Sequence, residues 1–275
     1  MQAAFTFLPC SPNSEWRLSL IPAYRVSSFD RFIMPVLRNF SALALLAAGT
    51  IFASSAALAG GKSVIELFTS QGCSSCPAAD KLLGTLTREP NLIPLTLAVD
   101  YWDYLGWKDT LALHSHTKRQ QHYAKMRGDM NVYTPQAVVN GVKYAVGSDA
   151  SEINAALRNH PSNQAEIPLR VRRDGENISV DVGPGQGKAT VWMLSVQGKV
   201  DVKIAKGENK GASVTYFNVV RAWRNLGAYT GGPIRTSVPV AELSQNGADK
   251  VVVFIQNGAE NPPGAIRNAE ILALR

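Results

Sequence analysis

Cysteine is scarce in this 275-residue chain, with three copies, and histidine nearly as scarce, with four. So few cysteines exclude the dense disulfide framework of small secreted scaffolds. No block of Lys and Arg is present: the net charge of +7 is spread along the chain, so nucleic-acid binding is not expected. Long hydrophobic runs are also missing. The longest, Phe40 to Ala53, is short for a membrane span, which leaves an uncleaved membrane anchor as the weaker reading. No cysteine stands at the cleavage position just after that run, which argues against a lipoprotein anchor. Beyond Pro161, helical periodicity is nearly absent.

What is present describes a soluble globular protein. Apolar residues make up 45% of the chain, and its length suits one large domain or two ordinary ones. Met34-Pro35-Val36-Leu37-Arg38 opens a short basic region, the apolar run follows, and Ala57-Leu58-Ala59 offers a small-x-small cleavage pattern. Residues 34–59 are therefore expected to be a signal peptide cut between Ala59 and Gly60, giving a periplasmic or secreted protein. Met34 is expected to be the true start, with 1–33 a non-native extension. After the cut, 24 basic and 19 acidic residues remain, a net charge of +5, and the only cysteines left are Cys73 and Cys76.

From 62 to about 160, strand and helix patterns alternate. Val64–Thr69 is a β-branched and aromatic run; Ala79, Leu82, Leu83 and Leu86 repeat at helical spacing behind Cys76-Pro77. Ile93–Val99 reads as a second buried strand, and 110–127 as a strongly polar helix. Ala137–Val139 and Val142–Val146 flank Asn140-Gly141, a two-residue hairpin signal. Asp149 with Glu152 starts a last helix. That element order is the one of a thioredoxin fold, so an α/β thioredoxin-like domain is expected over 60–162. Beyond it, alternating runs at 167–171, 178–182, 190–196, 200–204, 214–220 and 250–256 predict a separate all-β, sandwich-like domain over 165–275.

The chemistry is expected at Cys73-Ser74-Ser75-Cys76, a pair delivered by a strand onto a helix start. Unpaired N–H groups and the positive end of the helix dipole favour a thiolate there. Cys73 should be the exposed attacking thiol and Cys76 the buried resolving one. A bridge closing so short a loop adds little stability, which argues against a purely structural disulfide. Thr134-Pro135 is expected as a cis-proline element beside the cysteines, with Thr134 docking an extended partner chain. Glu66, a carboxylate inside an apolar strand, either shuttles the proton of Cys76 or pairs with a basic neighbour. Trp102, Asp103 and Trp107, in the aromatic segment 100–109, and Tyr133 either form a partner-binding wall or simply pack. The loop Gly207–Gly211 in the β half is a candidate contact, with a solvated turn the simpler reading. His114 and His116 project from different helical faces, and Cys73 and Cys76 have no further ligands in sight, so neither a metal nor a cofactor is expected.

The string Val64-Ile65-Glu66-Leu67-Phe68-Thr69-Ser70-Gln71-Gly72-Cys73-Ser74-Ser75-Cys76-Pro77-Ala78-Ala79-Asp80 resembles the secreted thioredoxin-like family catalogued as domain of unknown function 1223. Val99–Asp103 with Gly106–Asp109, Arg119-Gln120 with Tyr123, Tyr133–Gln136 through Val139–Gly141 to Gly147-Ser148, and Asn218–Arg221 are similar to the same family. One departure stands out: Ala98 occupies a place where members usually have His. The resemblance implies the fold and an exported location. The activity expected is thiol–disulfide exchange with a protein or small-thiol substrate and a separate thiol redox partner. The alternatives are a non-catalytic binding module with a structural disulfide and, less favoured, a metal-delivery protein.

Overall fold

The computed structural model describes residues 62–162, 166–258 and 263–275. All the described residues belong to one compact unit. The expected signal peptide and N-terminal extension lie outside the described residues. Among the described residues no helix is long and apolar enough to cross a membrane.

Strand β1 (Ser63–Thr69) is buried throughout because it has a neighbour on each side: β2 (Leu92–Ala98) runs parallel to it and β3 (Gln136–Val139) antiparallel. Between β1 and β2 lies helix α1 (Cys76–Leu86), opened by Pro77, whose missing N–H costs nothing in the first turn. Helix α2 (His114–Arg127) ends at Gly128, whose φ of +81° suits a residue without Cβ. β3 returns as β4 (Lys143–Val146) through Asn140-Gly141, with φ of +49° and +73°, a turn that matches the twist of the paired strands. Helix α3 (Ala150–Asn159) is capped by the Asp149 carboxylate, which accepts from the N–H groups of Ser151 and Glu152.

Gly141 also marks a close approach. A Cβ there would sit 2.3 Å from the carbonyl oxygen of Gly264, in a backbone region L-residues avoid. Gly141→Ala should therefore cost about 2–3 kcal/mol, read as a lower urea midpoint at unchanged m-value.

The second half contributes β5 (Leu169–Asp174), β6 (Asn177–Val182), β7 (Ala189–Lys203), β8 (Ser213–Tyr229), β9 (Ile234–Pro239), the short helix α4 (Val240–Leu243), β10 (Lys250–Asn257) and β11 (Ile266–Ala273). Here the architecture departs from the one expected. A thioredoxin-like domain followed by a separate all-β sandwich is not what forms. The described residues are mostly β: one mixed sheet of eight strands, ordered β11-β10-β7-β8-β2-β1-β3-β4, and a second sheet of three, β5-β6-β9. Strands from both sides of the expected boundary near residue 163 share the larger sheet.

The physical reason is the outer edge of β2. That strand is apolar and buried on both faces, so its unpaired edge must be covered. β8 covers it, parallel at Thr96 and Val219. The Thr96 hydroxyl donates to the Phe217 carbonyl (2.7 Å), and the Asn218 amide donates to the Pro94 carbonyl (3.0 Å). Asn218 itself has φ +46°, a local bend in β8 at the point where it meets β2, while its pairing with β7 continues on both sides. One core, on the α2 face, accordingly mixes Val64, Phe68 and Leu95 with Trp192, Val220 and Phe254. Each such side chain contributes roughly 1.5–3 kcal/mol on burial. The three-stranded sheet packs Ile178 and Val180 against Met193, Val251 and Val253.

The outer arm of the β7–β8 hairpin lies against α1. Gly84 faces the Phe217 ring so closely that a Cβ would stand 2.6 Å from it. The tip of that arm, residues 204–212, thereby arrives at the N-terminal end of α1.

Candidate functional site

Cys73 and Cys76 are joined in a disulfide at the start of α1, with Ser75 as the N-cap residue. The Ser75 hydroxyl lies 3.4 Å from Cys73 Sγ, within reach of a thiolate there. The Thr134–Pro135 bond is cis, and the Thr134 carbonyl oxygen is 3.7 Å from Cys73 Sγ.

Cys73 is not the exposed residue anticipated: it is 2% accessible, and Cys76 is fully buried. Two segments, residues 100–109 and the hairpin tip, account for that. The Cys loop is held from beneath by Asp109, whose carboxylate accepts from the Gln71 N–H (2.7 Å) and the Leu111 N–H (2.8 Å). Trp102 closes one side, its indole N–H donating to the Thr134 hydroxyl (2.7 Å), while Trp107 donates to the Gln71 side-chain oxygen (2.8 Å). The hairpin tip closes the other side. The Asn209 amide donates to the carbonyls of Gln71 (3.0 Å) and Cys73 (2.8 Å), and the Ser74 N–H donates to the Glu208 carboxylate (3.2 Å).

The segment 100–109 is thus brace and rim together. Asp103 is a brace, accepting from the Asp109 N–H (3.0 Å). Tyr104, 77% exposed, stacks on Trp102 with 17° between the rings. Tyr133 is exposed on the loop before Thr134, and its carbonyl accepts from the Gln120 amide (2.7 Å).

Glu66 stands apart from the cysteines. Alternation along β1 puts Ile65 and Leu67 against α1 and leaves Glu66 with Val64 and Phe68 on the α2 face. There, wholly buried, it takes a two-pronged bond from Arg119 (2.6 and 3.1 Å) and one from the Tyr123 hydroxyl (2.6 Å). Arg119 also reaches the Gln256 side-chain oxygen (2.9 Å) and lies over the Trp223 ring at 4.7 Å. Burial opposes the Arg119 charge, but Glu66 outweighs it and holds the guanidinium above its usual range. Of the two sequence readings, the structure shows Glu66 paired with a basic neighbour; a proton path to Cys76 would have to cross the sheet.

The carboxylate on the cysteine side is Asp80. On α1 it sits one turn below Cys76, and the two share the buried stripe Cys76, Ala79, Asp80, Leu83. Burial drives its pKa from 3.8 to about 8; the nearby Thr69 hydroxyl opposes the shift and Asp109 adds to it. Neither Asp80 oxygen makes a hydrogen bond of normal geometry. Asp109 is pushed up as well, chiefly by burial, with its backbone hydrogen bonds opposing. Sequence reasoning misses Asp80, although a lone acid beside Ala79 and Leu83 on a helix stripe is a visible signal. His116 is buried too; its Nδ1 lies 2.9 Å from the Ala98 carbonyl oxygen, and burial drives its pKa down to about 4. Among the described residues, no three His, Cys, Asp or Glu side chains converge as a metal site.

Comparison with known proteins places this geometry in a family. The model described as "Protein of unknown function (DUF1223)" matches residues 64–256, and the chain belongs to that family. Protein AGR_C_4864 from Agrobacterium tumefaciens, known from a crystal structure, is 32% identical, with a TM-score of 0.68 over 78% of this chain and 96% of that one. HBP35 of Porphyromonas gingivalis, at 11% identity, resembles it in fold, with a TM-score of 0.50 over 78% of this chain and 75% of that one. A search of the curated proteins finds no match.

Proposed function

We propose that this protein carries out thiol–disulfide exchange through Cys73 and Cys76 on a protein or small-thiol partner, outside the cytoplasm. The observation that carries the proposal is the grouping at one helix start: a disulfide facing the Thr134 carbonyl, with an unpaired buried carboxyl one turn below. The signal pattern before Gly60 supports the exported setting.

In the direction that reduces a partner, the Cys73 thiolate attacks a partner disulfide. A Cys73–partner bond forms, and the departing partner sulfur takes a proton from solvent. Cys76 then gives its proton to Asp80 and attacks Cys73 Sγ. The Cys73–Cys76 bond forms and the second partner sulfur leaves. Two electrons have passed to the partner; the reverse sequence oxidises it. A carboxyl raised to about 8 is a far stronger base than an ordinary one, so it takes a thiol proton at a smaller cost. Thr134 offers its backbone to the partner chain, and Trp102, Tyr104 and Tyr133 supply an aromatic rim.

The burial of Cys73 favours one rival, a binding module in which the bridge is permanent. Two measurements separate the readings. In a Cys10→Ser background, Cys76→Ser should accumulate mixed disulfides on Cys73, visible on non-reducing gels. The intact pair should titrate as a two-electron couple between roughly −120 and −270 mV. A bridge that resists reductant and traps no partner would favour the rival.

A further inference from the structure

The hairpin tip at residues 204–212 has a place in this chemistry that nothing above assigns. Its side chains occupy backbone groups of the Cys loop that a bound partner would otherwise meet: the carbonyls of Gln71 and Cys73 and the N–H of Ser74. Gly207, at φ +77°, brings the tip within 3.4 Å of the Trp107 side chain, measured from where a Cβ would stand. The arm carrying the tip is a regular antiparallel hairpin, paired from Gln197 and Val219 out to Lys203 and Ser213. The tip itself is solvated on its outer side, with Lys206, Glu208 and Lys210 all accessible. Its base is fixed, with Ile204 buried and bonded through its backbone to Gly211 and Ala212. Residues 205–210 meet the Cys loop mainly through Glu208 and Asn209. That outer turn, on a rigid arm, has the construction of a segment that opens locally.

We propose that this tip is a redox-gated strap, closed over the disulfide in the oxidised protein and released when the pair is reduced, with Glu208 as the sensing residue. The proposal rests on the exchange reading. In the oxidised state the Ser74 N–H is paired with the Glu208 carboxylate, and the contact is favourable. Reduction by a dithiol breaks the Cys73–Cys76 bond, transfers two electrons and leaves a proton on each sulfur, while the reductant closes to its own disulfide. Cys73 then loses its proton to solvent. The thiolate and the Glu208 carboxylate now compete for the same N–H groups at the start of α1, one residue apart, and repel each other. Two like charges a few ångströms apart near the surface disfavour the closed strap by about tenfold. The strap thus covers the disulfide more than the thiolate, which slows attack on the oxidised pair and favours attack by the reduced Cys73.

Trypsin reads the strap directly, because Lys206 and Lys210 are accessible within it. The full chain, oxidised or reduced with dithiothreitol, is digested briefly and cleavage after these two lysines is followed by mass spectrometry. Cleavage should be about tenfold faster in the reduced protein. Glu208→Gln keeps an oxygen for the Ser74 N–H but removes the charge, so it should be cut at the slow rate in both states. Asn209→Ala should be cut at the fast rate in both. Equal cleavage of oxidised and reduced wild type, with a reversible redox couple, would overturn the strap alone. A redox dependence that persists undiminished in Glu208→Gln would overturn the role of Glu208. A pair that cannot be reduced reversibly would overturn the exchange reading and the strap with it.

Discussion

Replacing Asp80 with Asn is expected to slow the release of mixed disulfides from Cys73 by about a hundredfold, the low end of what positioned proton transfer supplies. The amide would keep the shape of the buried stripe but could neither accept nor return the Cys76 proton. The loss should fall on the resolving step, measured by quenched-flow with a mixed disulfide formed first. Alkylation of Cys73, whose sulfur lies against the Ser75 hydroxyl rather than Asp80, should change far less. A stability readout accompanies the kinetic one. The Asp80 carboxyl ionises near 3.8 in the unfolded chain but near 8 when buried, so the folded state binds more protons between those values. Stability should then fall as pH rises from about 4 to 8, by up to roughly 1.4 kcal/mol per unit, and Asp80→Asn should flatten that slope. Unchanged resolution kinetics in the variant would remove Asp80 from the mechanism.

Glu66→Gln is expected to behave in the opposite sense, leaving exchange intact while costing about 3–5 kcal/mol of stability. The Arg119 guanidinium is 9% accessible and keeps its charge, so losing the one carboxylate beside it strands a buried cation. Removing both partners, as Glu66→Leu with Arg119→Met, should recover most of that loss, since neither charge then needs desolvating. Urea unfolding of the two variants and the wild type checks the cycle. Because Glu66 and α1 lie on opposite faces of the sheet, the redox potential should stay where it is in every variant that folds. A shifted potential in Glu66→Gln would reopen a path between the two faces.

These two acids show what a sequence carries and what it does not. Strands such as Val64–Thr69, the Asn140-Gly141 turn and the Asp149 cap rest on periods of two and on short-range capping, which neighbouring residues determine. The Cys73–Cys76 and Thr134-Pro135 motifs stand out locally for the same reason. The joining of β8 to β2 is a different matter. It depends on which strand covers an open edge more than a hundred residues away, and alternation in β8 is silent about its partner. Hence one continuous eight-stranded sheet reads, in sequence, as two domains. Parity along β1 separates Glu66 from Leu67, but nothing in β1 says which face α1 will cover. Helix α2 misleads by composition: it reads as strongly polar, yet it buries His116, Thr117, Arg119, Gln120 and Tyr123. Those groups are buried because they find partners in the core, and partners are invisible to hydropathy. The burial of Cys73 is hidden for a related reason, since Glu208 and Asn209, which bond to the backbone of its loop, lie more than a hundred residues away.

The length of the β7–β8 arm works as a ruler. Each strand residue advances the tip about 3.3 Å, so trimming two from each side would preserve pairing yet retract Asn209 by about 7 Å. The Cys loop would then lose its cover on the hairpin side, with its own helix, turn and proline untouched. How open the pair is to the outside is therefore set by a count of residues in a distant hairpin, a quantity that can drift among kindred chains while the cysteine motif stays the same.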